Sequence, residues 1–373
     1  MKYYIIAGEV SGDMHAANLI AEIKKKDPRA EFRAWGGDKM KAQGVTLVKH
    51  LRHMAFMGFV EVAVNLRKVL GNISECKRDL AAYRPDAVIL VDYPGFNFRI
   101  AKFAHAKGFR VFYYISPQVW AWKRRRVKKI KASVDKMLVI LPFEEEFYRK
   151  YGIDVAYVGN PLLDELAQAG VANRQMFLRR NHIGERREII ALLPGSRRQE
   201  VKRMLGVMLK VIPHFPQYQF VIAGVPSVDK ELYRKLIGNA DVTMVEGQTY
   251  ELLQNASAAL VTSGTATLET ALLNVPEVVC YRANQLSYLI AKRLVKVKYI
   301  SLVNLVMGKA VVKELIQGDL TEDNLVKQLN QLLTNGKVQR QLLDDYMELQ
   351  SRLGNAGASE RAASCVVDSL RRG

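Results

Sequence analysis

Cysteine is scarce in this chain. Only Cys76, Cys280 and Cys365 occur in 373 residues, and no two share a pairing-like spacing. An odd, scattered count excludes a disulfide framework, and no Cys/His spacing suits a zinc site. The cytoplasm is the natural compartment for such a chain. Long apolar runs are missing too. None reaches the roughly 18 residues that a spanning helix needs, so membrane contact is expected to be peripheral. The opening Met1-Lys2-Tyr3-Tyr4-Ile5-Ile6-Ala7 is too short for a signal-peptide apolar region. There is no Asp-x-Asp, no HExxH, no Gly-x-Ser-x-Gly and no Walker loop. The six histidines are scattered, and only His15, just inside the first helix, falls near the strand ends at which a cleft is expected. Acidic residues are outnumbered by 56 basic ones to 37, a formal net charge of +19. That excess points toward polyanions: nucleic acid, anionic membrane or phosphorylated substrates. Plain solubility is the bland alternative.

What the chain does have is alternation. Short apolar runs alternate with amphipathic stretches, the pattern of βα units on a parallel sheet. In the first half the runs are Tyr3–Ala7, Phe32–Trp35, Ala87–Val91, Val111–Ile115, Met137–Leu141 and Val155–Val158. In the second half they are Ile189–Leu193, Gln219–Ala223, Val242–Val245, Ala258–Val261 and Val278–Tyr281. Periodicity weakens between Gly159 and Arg187, and the chain from Thr321 on reads as helical. The expected architecture is α/β, with two doubly wound Rossmann-like domains facing across a cleft and a helical C-terminus. The expected domains are residues 1–170, residues 171–345 and a C-terminal helical segment 346–373; that this segment crosses back to the first domain is implied only by the family resemblance that the motifs below carry. Ligands of open α/β sheets bind at the carboxyl ends of the strands, so strand ends are where chemistry is sought.

Two strand ends in the first half carry carboxylates. The first strand runs into Ala7-Gly8-Glu9-Val10-Ser11-Gly12-Asp13, a glycine-containing turn that opens a helix. Glu9 is placed to meet a polar substrate, while Ser11 or Asp13 is read alternatively as a helix cap. Ala87–Val91 ends in Asp92-Tyr93-Pro94-Gly95-Phe96-Asn97. A carboxylate beside an apolar strand tends toward a raised pKa, which suits a general base. The alternative is that Asp92 caps the next helix or its turn, with Asn97 as the rival N-cap.

Two further segments read as surfaces. Met54, Phe56, Met57 and Phe59, continued by Leu66, Val69 and Leu70, form an adaptable apolar stretch. It is either an acyl-chain patch or an ordinary core helix. Trp120 and Trp122 precede Lys123-Arg124-Arg125-Arg126-Val127-Lys128-Lys129-Ile130-Lys131, in which seven of nine positions are basic. Indoles beside cations suit a lipid–water interface. Lys292, Arg293, Lys296 and Lys298 make a second basic cluster.

The second half reads as a nucleotide holder. Ile189–Leu193 leads into Pro194-Gly195-Ser196-Arg197, where Gly195 admits an anion to the backbone, Ser196 donates a hydroxyl and Arg197 clamps phosphate oxygens. Ala258–Val261 leads into Thr262-Ser263-Gly264-Thr265 and then Glu269. Ser263, Gly264 and Thr265 open a helix that can cradle phosphates, and Glu269 can accept ribose hydroxyls. Ordinary βα caps are the alternative for both turns. No metal or other cofactor is expected, so arginine and helix N-termini must stabilise a departing diphosphate.

Taken together, these motifs resemble the lipid-A-disaccharide synthase family, glycosyltransferases of family 19 with the GT-B fold. The matching stretches run from end to end: Ala7–Asp13, Met57–Val62, Asp92–Asn97, Tyr114–Trp122, Leu141–Glu144, Leu193–Arg197, Ser263–Glu269, Ala291–Lys296, Tyr299–Leu305 and Val312–Leu315. Gly95 and Val303 stand where some relatives carry Asp and Pro. The resemblance implies an inverting transfer that joins UDP-2,3-diacylglucosamine to 2,3-diacylglucosamine-1-phosphate (lipid X). The products are the β-1,6 lipid A disaccharide 1-phosphate and UDP, in lipopolysaccharide synthesis of a Gram-negative bacterium. It implies Asp92 as base with Glu9 as rival, Arg197 at the departing UDP, and Asn304 and Glu269 at the nucleotide. Ser11, Met54, Phe56, Met57, Phe59, Leu66, Leu70, Trp120, Trp122, Arg124, Arg125 and Arg126 are expected on the acceptor or membrane side. Both substrates are acylated and phosphorylated, which gives the apolar and basic segments a target on the inner face of the cytoplasmic membrane. A homodimer is compatible with the resemblance; nucleic acid is not expected as a partner. The competing readings are a UDP-N-acetylglucosamine 2-epimerase and a basic nucleic-acid-binding protein.

Overall fold

The computed structural model describes residues 1–54, 66–122, 126–284 and 298–372. The chain divides into two compact units, Met1–Asp164 with Leu353–Gly373, and Glu165–Arg352.

The first unit is built on a seven-stranded sheet in the order β3-β2-β1-β4-β5-β6-β7. Its strands are β1 (Lys2–Ala7), β2 (Glu31–Gly36), β3 (Thr46–His50), β4 (Ala87–Val91), β5 (Arg110–Tyr114), β6 (Lys136–Val139) and β7 (Val155–Tyr157). All neighbouring pairs are parallel. Parallel sheets are covered on both faces, which is why their strands read as continuous apolar runs. β1 shows the division: Tyr4 and Ile6 enter one core with Trp35, Ile73, Leu90 and Ile100. Tyr3, Ile5 and Ala7 enter the other with Leu19, Ile20, Val366 and Val367. β3 was not anticipated. It is an edge strand with no fully buried residue, so its sequence lacks the aliphatic signature.

The helix Ala358–Arg371 contributes Ala362, Ala363, Val366 and Val367 to the same core as the helix Val10–Lys26. Its N-terminus is capped from far away in sequence. The Asp164 carboxylate accepts from the backbone N–H groups of Gly357 (2.5 Å), Ala358 (3.1 Å) and Ser359 (3.0 Å). A carboxylate there satisfies otherwise orphaned donors and meets the positive end of the helix dipole.

The second unit has a six-stranded parallel sheet in the order β10-β9-β8-β11-β12-β13. Its strands are β8 (Glu188–Leu193), β9 (Tyr218–Gly224), β10 (Val242–Glu246), β11 (Ala256–Thr262), β12 (Glu277–Tyr281) and β13 (Lys313–Ile316). In each sheet the strand order reverses beside the first strand, between β1 and β4 and between β8 and β11. Those reversals are the positions at which doubly wound sheets leave a crevice. The chain after Thr321 is helical over Glu322–Thr334, Gly336–Leu353 and Ala358–Arg371.

Candidate active site

The end of β4 carries an unusual backbone. Asp92 (φ 44°) and Tyr93 (φ 45°) are consecutive non-glycine residues in the left-handed region, and Ile115 after β5 is a third (φ 62°). Each such residue costs on the order of 1–3 kcal/mol and persists only where its surroundings enforce it. Here the enforcement is visible. The Asp92 N–H donates to the Tyr114 carbonyl (3.1 Å). The Asp92 carbonyl accepts from the Tyr113 hydroxyl (2.6 Å) and from Asn97 Nδ2 (2.8 Å). Asn97 Nδ2 also reaches the Val91 carbonyl (3.2 Å). Asn97 therefore lies inside the helix Pro94–Ala106 and pins the strand end, while the N-cap position is Tyr93. Burial, then the charge of Asp92, holds the Tyr113 hydroxyl well above its usual pKa, so it stays a donor. The half-buried Asp92 side chain is thus held on a fixed backbone.

Glu9 belongs to the same strand ends. It is the N-cap residue of the helix Val10–Lys26 but makes no side-chain cap. The Tyr93 pKa is raised, first by burial and then by the Glu9 charge. The Tyr93 ring lies against Gly8, where a Cβ would come within 2.3–2.7 Å of it. Gly8 is therefore required for close packing of one strand end on the other. Tyr93 completes the join by donating to the Met54 carbonyl (2.9 Å). Ser11 is exposed and caps nothing. Asp13 does cap, but not its own helix. Its carboxylate accepts from Gly37 N (2.7 Å), Lys39 N (3.0 Å) and Met40 N (3.2 Å), at the start of the helix Asp38–Ala42.

Two of the residues expected at a lipid surface are inside. Met54 is 1% exposed and packs in the core with Trp35 and Phe96. Trp120 is 6% exposed; its indole N–H donates to the Glu144 carboxylate (3.1 Å) and its ring meets Phe143 edge-on. The expectation of a membrane-facing Trp120 and Met54 is corrected accordingly: an indole with a buried acceptor gains nothing at an interface. Leu70 is exposed. Leu66 begins the helix Leu66–Tyr83 and Trp122 ends the short helix Val119–Trp122. Phe56, Met57, Phe59, Arg124 and Arg125 lie outside the described residues, as do Lys292, Arg293 and Lys296. Lys128, Lys129 and Lys131 are exposed on the helix Val127–Lys131, whose Val127 and Ile130 face the core. Arg126 differs from them. It is half-buried, with its guanidinium 5.6 Å above the centroid of the Phe98 ring.

At the end of β8, Gly195 has φ 110°, which favours glycine, and a Cβ there would lie 2.6 Å from Glu200. The approaching anion is Glu200 itself. Its carboxylate accepts from Ser196 N (3.0 Å) and Arg197 N (3.3 Å) and lies 3.6 Å from Arg197 Nη1. Arg197 is the N-cap and Glu200 the N3 residue of the helix Arg198–Met208, the capping-box spacing. Arg197 is otherwise largely exposed. The Ser196 and Arg197 N–H groups are therefore not vacant for an anion, contrary to the simplest reading of this turn.

At the end of β11 the helix Thr265–Leu272 starts without a side-chain cap at Gly264, and a Cβ at Gly264 would meet nothing within 4 Å. Gly264 and Thr265 are exposed. The Ser263 hydroxyl is turned away, donating to the Ile300 carbonyl (3.0 Å). Glu269, one turn on, has its pKa pushed up to about 7, first by burial and then by the charge of Glu165. Tyr250 donates to Glu165 (3.2 Å), so Glu165, Tyr250 and Glu269 form one cluster.

Asn304 stands differently from its expectation at the nucleotide. It is 1% exposed and its side chain is saturated. Nδ2 donates to the Val312 carbonyl and to Glu314, both at 2.9 Å. Oδ1 accepts from Val311 N (2.8 Å) and Val312 N (2.9 Å). With both donors and both lone pairs used, its side chain holds the loop before β13 and has none left for a ligand. Glu314 shares that task, accepting from Ile300 N, Ser301 N and the Ser301 hydroxyl. Sequence reasoning missed Tyr113, Glu200, Glu314 and Tyr250. Only Glu200 had a local signal, three residues after Arg197.

Among the described residues no group of three His, Cys, Asp or Glu side chains is placed to hold a metal ion, and no helix is long and apolar enough to cross a membrane.

A sequence profile of the family described as lipid-A-disaccharide synthetase matches residues 3–366. A lipid-A-disaccharide synthase of Syntrophus aciditrophicus is 42% identical over 99% of this chain and 97% of its own. That of Myxococcus xanthus is 38% identical over the same shares. Among solved structures, UDP-GlcNAc 2-epimerase from Neisseria meningitidis, bound to UDP-GlcNAc, superposes with a TM-score of 0.71 at 15% identity over 100% of both chains. The glycotransferase of kitacinnamycin gives 0.67 at 14% identity over 99% of both. At such identities the likeness is one of fold: two parallel sheets with flanking helices, the GT-B architecture.

Proposed function

The chain belongs to the lipid-A-disaccharide synthase family, and from that premise we propose that it joins UDP-2,3-diacylglucosamine to 2,3-diacylglucosamine-1-phosphate with inversion. The 6-hydroxyl oxygen of the acceptor forms a bond to the anomeric carbon of the donor. The bond from that carbon to the UDP oxygen breaks, and UDP leaves with the electron pair. The hydroxyl proton passes to Asp92.

The observation that carries the base assignment is the pinned left-handed Asp92–Tyr93 pair. A strained carboxylate-bearing turn held by Tyr113 and Asn97 is a pre-organised catalytic position. Glu9, against the neighbouring strand end, is the rival base and otherwise orients the acceptor. Arg197 meets the departing diphosphate, exchanging its weak contact with Glu200 for phosphate oxygens. The open helix start at Gly264 and Thr265 takes up diphosphate charge, and Glu269 takes the ribose hydroxyls. The Neisseria epimerase holds a UDP-sugar on the same fold, which supports a UDP-linked donor. The excess of basic residues, with Lys128 and Lys129 exposed, suits peripheral attachment to an anionic cytoplasmic membrane face.

Purified protein supplied with both acylated sugars in detergent and EDTA should release UDP and disaccharide in equal amounts. Failure with and without added magnesium would overturn the transferase reading. Conversion of water-soluble UDP-N-acetylglucosamine without an acceptor would replace it with an epimerase.

A further inference from the structure

The segment that follows β5 runs Ile115-Ser116-Pro117-Gln118-Val119-Trp120. It leaves the sheet next to the residue assigned as base. Val91 of β4 pairs with Tyr114 of β5, and the Asp92 N–H donates to the Tyr114 carbonyl at 3.1 Å. Asp92 and Ile115, the residues that follow that pair, are both left-handed.

Ser116, Pro117, Val119 and Trp120 are buried, while Gln118 between them is exposed. Both flanks of Gln118 are gripped from one helix. Glu144 and Tyr148 stand one turn apart on the helix Pro142–Arg149 and share a face. The Glu144 carboxylate accepts from the Trp120 indole (3.1 Å), and the Tyr148 hydroxyl lies 2.5 Å from that of Ser116. Ser116 and Trp120 are each two residues from Gln118. Between them the Pro117 carbonyl accepts from Val119 N (2.5 Å) and from the Ser116 hydroxyl (3.0 Å). Glu144 is itself fixed by the N–H groups of Ile140 (3.3 Å) and Leu141 (3.1 Å), just past β6.

A buried carboxylate is costly even when it is bonded. A buried polar network with partners throughout, however, specifies one geometry. Here the geometry specified is a loop that presents a single neutral amide on the strand beside that of Asp92. An amide both donates and accepts and carries no charge, so it matches a sugar hydroxyl better than a phosphate. In 2,3-diacylglucosamine-1-phosphate, position 1 carries phosphate, positions 2 and 3 carry acyl groups and the 6-hydroxyl reacts. The 4-hydroxyl is the one free hydroxyl left, and its carbon adjoins the one that bears the reacting arm.

We propose that Gln118 hydrogen-bonds the 4-hydroxyl of the acceptor sugar, and that Glu144 and Tyr148 are positioning residues that hold Gln118 for this contact. This rests on the reading of the acceptor as 2,3-diacylglucosamine-1-phosphate.

The test pairs a protein change with a substrate change. Wild type, Gln118→Ala, Glu144→Gln and Tyr148→Phe are assayed in detergent with UDP-2,3-diacylglucosamine and either lipid X or its 4-deoxy analogue. Binding of both acceptors is measured in the same micelles. Gln118→Ala should lower kcat/KM for lipid X, and weaken its binding, by about three- to tenfold. With the 4-deoxy acceptor the same substitution should cost less than about twofold, because the contact is already missing. Glu144→Gln and Tyr148→Phe should likewise lose more on lipid X than on the analogue, and either one added to Gln118→Ala should cost little more. A merely structural role would lower activity on both acceptors alike, and that result would remove them as positioning residues. An equal loss with both acceptors, or undiminished lipid X binding, in Gln118→Ala would overturn the contact whether or not the other two variants fold. A wild type that binds lipid X but forms no disaccharide would instead overturn the transferase reading, and the binding comparison would still decide the role of Gln118.

Discussion

The indole N–H of Trp120 donates to the Glu144 carboxylate at 3.1 Å, and both side chains are buried. Glu144 also accepts from Ile140 N and Leu141 N, yet burial outweighs these bonds and pushes its pKa from 4.5 up to about 7. A carboxyl whose folded pKa is raised stabilises the fold fully below its unfolded pKa. It loses that contribution as pH rises through the folded value. Between about pH 4.5 and 7 the protein should therefore lose on the order of 3 kcal/mol from this group. Urea melts at pH 5 and pH 8 should differ less in Glu144→Gln than in wild type. An unchanged difference would remove Glu144 as the cause.

Asp92→Asn should lower kcat by about 10²–10⁴-fold, the usual contribution of a general base, with UDP affinity unchanged. Tyr113→Phe, which frees the Asp92 carbonyl, should lower kcat by a smaller factor of about ten and leave KM for the donor alone. Near-normal turnover in Asp92→Asn would pass the role of base to Glu9.

Arg197 and Asn304 should separate cleanly. Arg197→Ala removes an exposed cation that holds no part of the core, so it should weaken UDP binding about tenfold with little change in melting. Asn304→Ala strands the Val311 and Val312 N–H groups, and should cost roughly 2–4 kcal/mol of stability. Calorimetric titration with UDP and thermal melts on both variants check this. A stable Asn304→Ala variant that had lost UDP binding would return Asn304 to the nucleotide site.

Glu269 should make nucleotide binding pH-dependent. As a ribose acceptor it works best ionised, so UDP affinity should fall as pH drops through about 7. Glu165→Gln removes a neighbouring negative charge, lowers the Glu269 pKa and should move that fall to lower pH. The wild-type–variant difference in UDP affinity between pH 6 and pH 8 isolates the effect from the titration of UDP itself. Parallel profiles would refute the coupling.

The four strand-end turns were legible because parallel strands buried on both faces leave long aliphatic runs, so Glu9, Asp92, Arg197 and Ser263 stand out where each run stops. β3 was not, since an edge strand needs no such run. Glu200 could have been read from its spacing to Arg197, but its occupation of the Ser196 and Arg197 N–H groups could not. Met54 and Trp120 were read toward membrane because a methionine or an indole beside cations has the same local sequence inside a core and at a lipid surface. Which one obtains depends on a partner 24 residues away for Trp120.

Family membership, the βα rhythm and the chemical types present at the strand ends are properties of local order along the chain, and the sequence alone determined them. The tertiary structure decided which polar groups are already spent. Asn304 is saturated by Val311, Val312 and Glu314, and Asp13 by the helix after β2. Arg126 is turned onto Phe98 while Lys128 and Lys129 stay in solvent. The reason is that hydrogen-bond satisfaction and desolvation are settled between residues far apart in sequence, and spacing along one chain carries no record of them.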